Sequence, residues 1–308
     1  MTKLSIVCPT FNEEDNVSEL YSRISGVMAG NGLAYEIIFI DNASTDGTVQ
    51  KLRDLARRDK RVKLILNATN FGHIRSPYHG LLQSDGDASV IIASDLQDPP
   101  EIIDAFVEKW HEGSKVVLAV KSSSEEGRIV RILRRSFYAL LSRFSSTPLV
   151  QNATGAGLFD RSVIEELRKL REPYPYFRGL VTELGFTMAS VEFSQPKRVA
   201  GKTKNNWSTL YDLAILGFTT HGGAAIRMIS LCGFVVAALS LLIALGYFVA
   251  KLLFWDSFEL GLSPLILGVF FFGSVQITLL GLVGEYLFSI QRRLKNLPLV
   301  IEAERVNF

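Results

Sequence analysis

The chain has 308 residues, 48% of them hydrophobic, and its 33 basic and 31 acidic residues leave a net charge of +2. This length suits one large domain, or one domain with an appendage. The balanced charge argues against a nucleic-acid partner, which a strongly basic chain would suggest. The two cysteines, Cys8 and Cys232, provide neither a disulfide framework nor the spacing of a metal site.

The N-terminal part alternates between short apolar runs and segments with helical periodicity. We predict strands at Leu4–Pro9, Glu36–Ile40, Val62–Leu66, Ala88–Ser94 and Lys115–Val120, and helices at Glu13–Met28, Gly47–Arg58, Ile74–Gln83 and Pro100–Glu112. Alternation on this scale predicts an α/β fold, with a parallel sheet covered by helices on both faces. Such sheets bind ligands beyond the carboxyl ends of their strands, so the candidate site lies in the residues that follow each strand.

Four consecutive strand ends carry polar side chains. They are Pro9-Thr10-Phe11-Asn12-Glu13, Asp41 to Gly47, Asn67 to Gly72, and Asp95 to Pro100. Carboxylates there can accept hydrogen bonds from ribose or help to hold a divalent cation that bridges phosphates. Taken singly, Asp41, Asp46 and Asp95 also fit ordinary turn or capping residues. Together the four segments favour a nucleotide site, although the sequence lacks the Gly-x-Gly-x-x-Gly and Walker patterns.

The C-terminal third contains two long apolar runs around a short polar turn. Only three charged residues occur between Met228 and Gly284. Because a helix needs about 20 apolar residues to cross a bilayer, we predict two transmembrane helices at about 228–252 and 262–286. The alternative is a pair of buried helices in a soluble core. Basic residues flank the pair on both sides, so the positive-inside rule predicts that both ends are cytoplasmic.

These patterns divide the chain into four regions. They are a water-side domain at 1–205, an interfacial amphipathic segment at 206–226, two transmembrane helices within 227–290, and a cytoplasmic tail at 291–308. The amphipathic segment carries Trp207 and Tyr211, as interfacial helices do. No apolar signal region follows Met1, so we expect an integral protein of the plasma or inner membrane with a cytoplasmic catalytic domain. Small residues such as Gly268 and Gly273 leave room for a homo-oligomer.

In order along the chain, the strand-end segments resemble those of the family 2 glycosyltransferases. The matching stretches are Pro9-Thr10-Phe11-Asn12-Glu13, Asp41…Ser44-x-Asp46-Gly47, Asn70-Phe71-Gly72 and Asp95-Leu96-Gln97-Asp98-Pro99-Pro100-Glu101. The likeness covers nearly the whole chain. Within the family, the chain resembles the polyprenyl-phosphate glycosyltransferases, which are related to dolichyl-phosphate mannose synthase. The resemblance implies a Rossmann-like GT-A domain, a nucleotide-diphosphate sugar donor (a UDP-sugar, by family), Mg²⁺ or Mn²⁺ as cofactor, and a membrane polyprenyl phosphate of the undecaprenyl or dolichyl type as acceptor.

The resemblance also suggests roles for individual residues. The residues expected to bind the nucleotide sugar are Pro9, Phe11, Glu13, Asp41, Ser44, Asp46, Asn70, Gly72 and His73. Asp95 matches the family's metal-binding Asp, and Gln97 follows it as in the family. Lys204 matches a basic stretch near the diphosphate or the lipid phosphate. Arg178 could contact the acceptor phosphate or cap locally.

Three departures from the family pattern bear on the chemistry. Asn42 stands where the family has a second acidic residue, and Ala93 where it has the first Asp of Asp-Ala-Asp. Alignment on Asp160-Arg161 puts Gly155 where many relatives have a proposed catalytic Asp.

These departures favour one acceptor class. A hydroxyl acceptor needs a general base, whereas a phosphate monoester, with a second pKa of about 6, is already anionic near neutrality. We therefore expect a lipid phosphate as acceptor. The family resemblance implies inversion, and the lack of a Gln-x-x-Arg-Trp stretch favours transfer of a single sugar. Two alternatives stay open: transfer to a lipid hydroxyl such as that of diacylglycerol, and a non-catalytic scaffold that binds sugar nucleotides.

Overall fold

The computed structural model describes residues 2–121, 153–170, 175, 177–194, 262–294 and 297–308, with isolated positions between 233 and 254. In chain order it contains β1 (Lys3–Thr10), α1 (Val17–Asn31), β2 (Ala34–Asp41), α2 (Thr48–Arg58), β3 (Val62–Asn67), α3 (Gly72–Leu82), β4 (Ala88–Ile91), α4 (Ile102–His111), β5 (Val116–Lys121), β6 (Ala153–Asp160), α5 (Arg161–Lys169), α6 (Phe177–Glu183), β7 (Met188–Phe193), α7 (Leu262–Leu294) and β8 (Glu302–Val306).

The strands form one 8-stranded sheet in the order β7-β5-β6-β4-β1-β2-β3-β8. Strands β1 to β4 are parallel to one another, and β5 and β7 are parallel to each other. Strand β6 runs antiparallel between β4 and β5, and β8 runs antiparallel to β3. The predicted parallel sheet is thus correct for β1–β4, but the complete sheet is mixed. The helical crossovers of the first strands predict parallel neighbours. The sequence-based prediction included neither β6 nor β8, which are the two antiparallel strands.

Helices cover both faces of the sheet, as predicted. Side chains of β2 alternate between the faces: Ile37 and Phe39 pack with α1, α2 and α4, while Ile38 and Ile40 pack with α3 and α5. Phe39 is completely buried. This alternation is the period of two that a doubly covered strand requires.

Some boundaries differ from the sequence-based prediction. Helix α1 begins at Val17 rather than at Glu13 because residues 13–16 form a turn, in which the Asn16 N–H donates to the Glu13 carbonyl at 3.0 Å. Strand β4 ends at Ile91, three residues earlier than predicted. After Ile91 the Ile92 N–H still donates to the Val7 carbonyl at 3.0 Å and the Ser94 N–H to the Pro9 carbonyl at 3.4 Å, so residues 92–94 stay beside β1 ahead of the loop that carries Asp95.

The second apolar run forms α7, a helix of 33 residues. Its segment Phe271–Phe288 has a mean hydropathy of 1.4 and is entirely unburied, so its length and composition suit a membrane span. The first predicted span lies largely outside the described residues, and the two-helix hairpin therefore stays a prediction.

After α7 the chain returns to the α/β domain. Strand β8 pairs with β3, and the Ala68 N–H donates to the Ile301 carbonyl at 2.8 Å. The Asn307 side chain donates to the carbonyls of Ala56 and Val62, both at 2.8 Å. The segment expected only as a tail thus supplies an edge strand of the sheet.

Candidate functional site

The carboxyl ends of the parallel strands meet at one edge of the sheet. Thr10 at the end of β1 lies beside Asp41 at the end of β2, and Asp41 lies beside Leu66 in β3. The Thr10 hydroxyl is 2.8 Å from the hydroxyl of Ser94, just after β4. We call this edge, with the segments 9–13, 41–47, 67–72 and 93–98, the site edge. It brings together the strand ends that the sequence singled out.

The first two segments interlock through hydrogen bonds. The Asn12 N–H donates to Ser44 Oγ at 2.8 Å, and Asn12 Oδ1 accepts from the Thr45 N–H at 2.8 Å. The Glu13 N–H donates to Thr48 Oγ1 at 2.9 Å. Asn12 adopts a left-handed conformation with φ 54°, which asparagine tolerates better than most residues. These hydrogen bonds hold the first and second segments together.

Asp41 is buried at the start of the second segment. It is 1% exposed and accepts from both the Ser44 N–H, at 2.9 Å, and the Ser44 hydroxyl, at 2.5 Å. Burial raises the pKa of Asp41 above its ordinary value, against the opposing hydrogen bonds from Ser44. Asp41 is therefore an oriented acceptor at the base of the site edge, suited to a ligand N–H or O–H group.

Asp46 makes the bonds expected of a capping residue. Its oxygens accept from the backbone N–H groups of Thr48 and Glu14, at 3.0 and 3.4 Å. Burial alone would raise its pKa, but these hydrogen bonds bring the pKa of Asp46 below its ordinary value. The turn-and-cap alternative accounts for these contacts, and a role in nucleotide binding stays a prediction.

Asn42 joins the second and third segments, a role that sequence reasoning missed. Its amide nitrogen donates to Asn70 Oδ1 at 2.8 Å and to the Gly72 carbonyl at 3.3 Å. Its amide oxygen accepts from the Phe71 N–H at 2.8 Å and from Asn67 Nδ2 at 3.2 Å. Gly72 has φ 82°, so the tight turn at this position favours glycine. An aspartate at position 42 could not make the two donated bonds.

The fourth segment contains a strained backbone position. Leu96 has φ 57° and is 2% exposed, so a buried side chain anchors a left-handed residue. This conformation costs about 1–2 kcal/mol in a residue other than glycine, and such strain concentrates at functional sites. It presents the half-buried side chains of Asp95 and Gln97, and Asp95 Oδ1 accepts from the Gln97 N–H at 3.2 Å.

The carboxylate oxygens at this edge fit a divalent cation that is held largely by the phosphates of a bound substrate. Among the described residues no group of three or more His, Cys, Asp or Glu side chains could hold a metal. Mg²⁺ keeps waters and binds one or two carboxylates together with substrate phosphates, rather than an all-protein cage. A single carboxylate at Asp95, next to a diphosphate, meets that requirement.

Gly155 and Ala93 flank the last pair of the β4–β6 ladder, in which Ile91 lies beside Gly157. Gly155 precedes Gly157 by two residues in β6, and Ala93 follows Ile91 by two residues. Gly155 is exposed, and no described atom lies within 4 Å of where its Cβ would stand. The two departures from the family pattern thus place residues without a carboxylate at these positions, and Ala93 lies two residues before Asp95.

Asp160, the residue used to align this motif, has a structural role. It caps α5 by accepting from the Ser162 N–H at 3.0 Å, and it also accepts from Trp110 Nε1 at 2.8 Å and Lys115 Nζ at 3.0 Å. Burial alone would raise the pKa of Asp160, but the hydrogen bonds from Ser162, Trp110 and Lys115 hold it at about 2.

The remaining site predictions are placed unevenly. Pro9, Phe11 and Glu13 are half-buried along the first segment, and His73 is exposed in the first turn of α3. Lys204 and the side chain of Arg178 lie outside the described residues.

Comparison with known proteins identifies the family. The family model described as "Glycosyl transferase family 2" matches residues 5–168, which include all four segments of the site edge. The chain belongs to this family.

Two relatives extend the match over nearly the whole chain. The uncharacterized glycosyltransferase YkcC of Bacillus subtilis is 35% identical over 298 residues, covering 96% of this chain and 92% of that protein. The SfII prophage-derived bactoprenol glucosyl transferase of Shigella flexneri is 32% identical over 297 residues, covering 96% of each. The resemblance to family 2 glycosyltransferases and to their polyprenyl-phosphate subgroup is confirmed, and the chain is a glycosyltransferase.

A solved structure supports the fold. Glucosyl-3-phosphoglycerate synthase from Mycobacterium tuberculosis, in complex with Mn²⁺, UDP and phosphoglyceric acid, superposes with a TM-score of 0.50. The match covers 71% of this chain and 77% of that one at 21% identity. The family 2 domain thus has the GT-A α/β fold that the sequence predicted.

Proposed function

We propose that this glycosyltransferase moves a single sugar from a UDP-sugar to a membrane polyprenyl phosphate, with inversion, at the cytoplasmic face. The observation that carries the proposal is the lack of a carboxylate at Gly155 and at Ala93, two residues before Asp95; Gly155 is exposed and presents an uncharged surface among the described residues. An ionised phosphate approaches such a surface without repulsion and needs no general base. The name of the Shigella relative, a bactoprenol glucosyl transferase, supports the same acceptor class.

The donor would lie along the site edge. Asp41, whose carboxylate is oriented by Ser44, would accept from the nucleoside, and the segment around Asn70 and Gly72, which is bonded to Asn42, would border the nucleoside on the β3 side. His73 is exposed at the start of α3 and would contact the diphosphate. The remaining predicted contacts to the sugar donor are Pro9, Phe11 and Glu13, which belong to the first segment of the site edge.

A divalent cation, Mg²⁺ or Mn²⁺, would be held by Asp95 together with the donor diphosphate. When bound, it neutralises charge on the leaving UDP. Gln97 follows Asp95 on the same strained turn and would orient the donor. Lys204 and Arg178 are proposed to hold the diphosphate and the acceptor phosphate by charge.

The transfer is a direct displacement at the anomeric carbon. An acceptor phosphate oxygen forms the new carbon–oxygen bond, the bond to the β-phosphate of UDP breaks, and its electron pair leaves with UDP. Attack opposite the leaving group inverts the anomeric configuration, as the family resemblance implies. The protein supplies position and charge compensation, which are the main sources of rate enhancement when the nucleophile is already ionised.

The test uses the purified full-length chain in vesicles. UDP-glucose, suggested by the relative's name, heads a panel of UDP-sugars offered with Mg²⁺ and vesicles that contain both undecaprenyl phosphate and diacylglycerol, and the lipid product is identified by mass spectrometry. A glycosyl phosphate, unlike a glycoside of diacylglycerol, is cleaved by mild acid. Product formed only on diacylglycerol would refute the phosphate acceptor, and full activity after exhaustive chelation would refute the cation.

Asp95→Asn separates charge from structure at the proposed metal site. The amide oxygen can still accept from the Gln97 N–H, so folding should be unchanged, but the anionic ligand is lost. We expect a fall in kcat of about 100-fold or more, the scale on which one electrostatic group acts. Asp104→Asn, at an exposed position of α4, is the matched control and should retain wild-type rates. Equal rates for the two variants would exclude Asp95 as a metal ligand.

A further inference from the structure

Strand β8 enters the sheet at the site edge. Its first residue, Glu302, lies beside Asn67 at the carboxyl end of β3, and Val306 lies beside Leu64. Because β8 is antiparallel to β3, the chain that arrives from α7 must reach the same edge that carries Asp41 and Asp95.

The residues ahead of β8 are bound to the third site-edge segment and to α3. Arg75 Nη2 donates to the Pro298 carbonyl at 2.5 Å, and the Arg75 guanidinium lies 5.1 Å from the centre of the Phe71 ring. Val300 is 6% exposed. His79 Nε2 and Glu302 Oε1 are 2.6 Å apart, which accounts for this second histidine of α3 structurally.

The connection from the apolar helix to this anchor is short. Helix α7 ends at Leu294, four residues before Pro298. A fully extended chain spans at most about 3.5 Å per residue, so the Pro298 anchor lies within about 14 Å of the end of α7.

The helix itself is longer than a membrane core. Its 33 residues rise about 50 Å, against about 30 Å for the hydrocarbon region. The length of α7 beyond the hydrocarbon region and the short connection to Pro298 together limit the distance between the site edge and the bilayer.

We propose that residues 297–306, which we call the tether, orient the site edge toward the bilayer and fix its height above the lipid surface. This inference rests on the proposed function, because height matters only if the acceptor phosphate is carried by a lipid. Arg75 is then a positioning residue: it binds the tether at Pro298 and contacts Phe71 of the Asn70–Gly72 turn. Membrane position is thereby transmitted to the donor pocket.

The test lengthens the connection and leaves every residue of the tether in the chain. Eight Gly/Ser residues are inserted between Asn296 and Leu297 of the full-length chain, and the same insert after exposed Gly113, between α4 and β5 at the opposite edge, is the control. Each variant is assayed with undecaprenyl phosphate in phosphatidylglycerol–phosphatidylethanolamine vesicles, and with a water-soluble acceptor phosphate of two isoprene units.

We expect the Asn296 insertion to lower kcat on the vesicle acceptor about tenfold, since loss of orientation costs rate on this scale. The soluble acceptor should be used at the wild-type rate, and the Gly113 insertion should change neither. Equal losses on both acceptors would mean that the tether only supports the fold, and no loss on either would mean that height is set elsewhere; each result overturns the proposal. A wild-type chain that glycosylates neither phosphate would instead refute the proposed function.

Discussion

At the scale of single residues, the departures from the family pattern have physical explanations. Asn42 is not a weakened acidic residue, because it donates and accepts at once and joins two site-edge segments. At Gly155 no described atom lies within 4 Å of where a Cβ would stand. Both residues could be located from the sequence, but the partners of Asn42 lie at the end of β3 and in the turn after it, so its role could not be derived from local pattern.

Asn42→Asp tests the joining role. A carboxylate would face Asn70 Oδ1 and the Gly72 carbonyl, so two donated bonds would be replaced by repulsion in a buried site. We expect a destabilisation of about 2–3 kcal/mol, the cost of leaving buried polar groups unsatisfied. Thermal unfolding of the purified protein measures the change. The same substitution at half-buried Asn31, whose amide donates one exposed hydrogen bond to Asp104 Oδ1 at 2.7 Å, should have a smaller effect because water can solvate both carboxylates; similar losses at both positions would contradict the role of Asn42.

Gly155→Asp and Gly155→Asn form a matched pair at the proposed acceptor surface. Both side chains fit the open space, but only aspartate adds a negative charge facing an anionic acceptor. We expect the KM for undecaprenyl phosphate to be about tenfold higher for the Asp variant, which corresponds to about 1.4 kcal/mol of repulsion. Initial rates over a range of lipid phosphate measure the difference. If the two variants show the same KM, the acceptor does not approach this surface.

At the scale of elements, the predictable part of the fold is the part with local patterns. Buried strands such as β2 are continuous apolar runs, and turn formers mark their ends, so the first strands and the site edge followed from the sequence. Strand β8 could not be predicted in this way. Its sequence, Glu302–Val306, is mostly charged, and its middle residues are exposed, as suits an edge strand without a hydrophobic pattern. Its partner β3 is more than 230 residues away.

Asp160 is a capping residue whose contribution to stability should depend on pH. Its pKa of about 2 in the folded protein lies below the ordinary value of 3.8. Its stabilising effect is therefore complete above about pH 4 and is lost as pH falls toward 2. Asp160→Asn should lower the apparent Tm at pH 7, and the gap to wild type should shrink between pH 4 and 2.5. Thermal unfolding across this range measures it; a gap that does not change with pH would show that the charge contributes nothing.

At the scale of the whole molecule, α7 carries an apolar surface that the described residues of the catalytic domain do not cover. Its exposed side chains include Leu265, Val269, Phe271, Phe272, Ile277, Leu280, Val283, Leu287 and Phe288. Such a surface exceeds the apolar patches that soluble proteins tolerate in water. A helix in lipid explains this exposure. Because β8 follows α7 and enters the sheet at the site edge, the position of α7 in the membrane then bears on the position of the site edge.

Ile277→Arg and Leu294→Arg test this placement with two positions of nearly equal exposure, 72% and 75%. Ile277 lies near the middle of α7, where an arginine costs about 2.5–3.5 kcal/mol in a transmembrane helix, whereas a residue at the helix end reaches the interface at little cost. We expect the Ile277 variant to be released from membranes by alkaline carbonate in a larger fraction, while the Leu294 variant stays with the pellet like the wild type. If α7 instead lay in water against another protein surface, depth along the helix would not matter. Equal extraction of the two variants would therefore contradict a membrane span and, with it, an acceptor held in the bilayer.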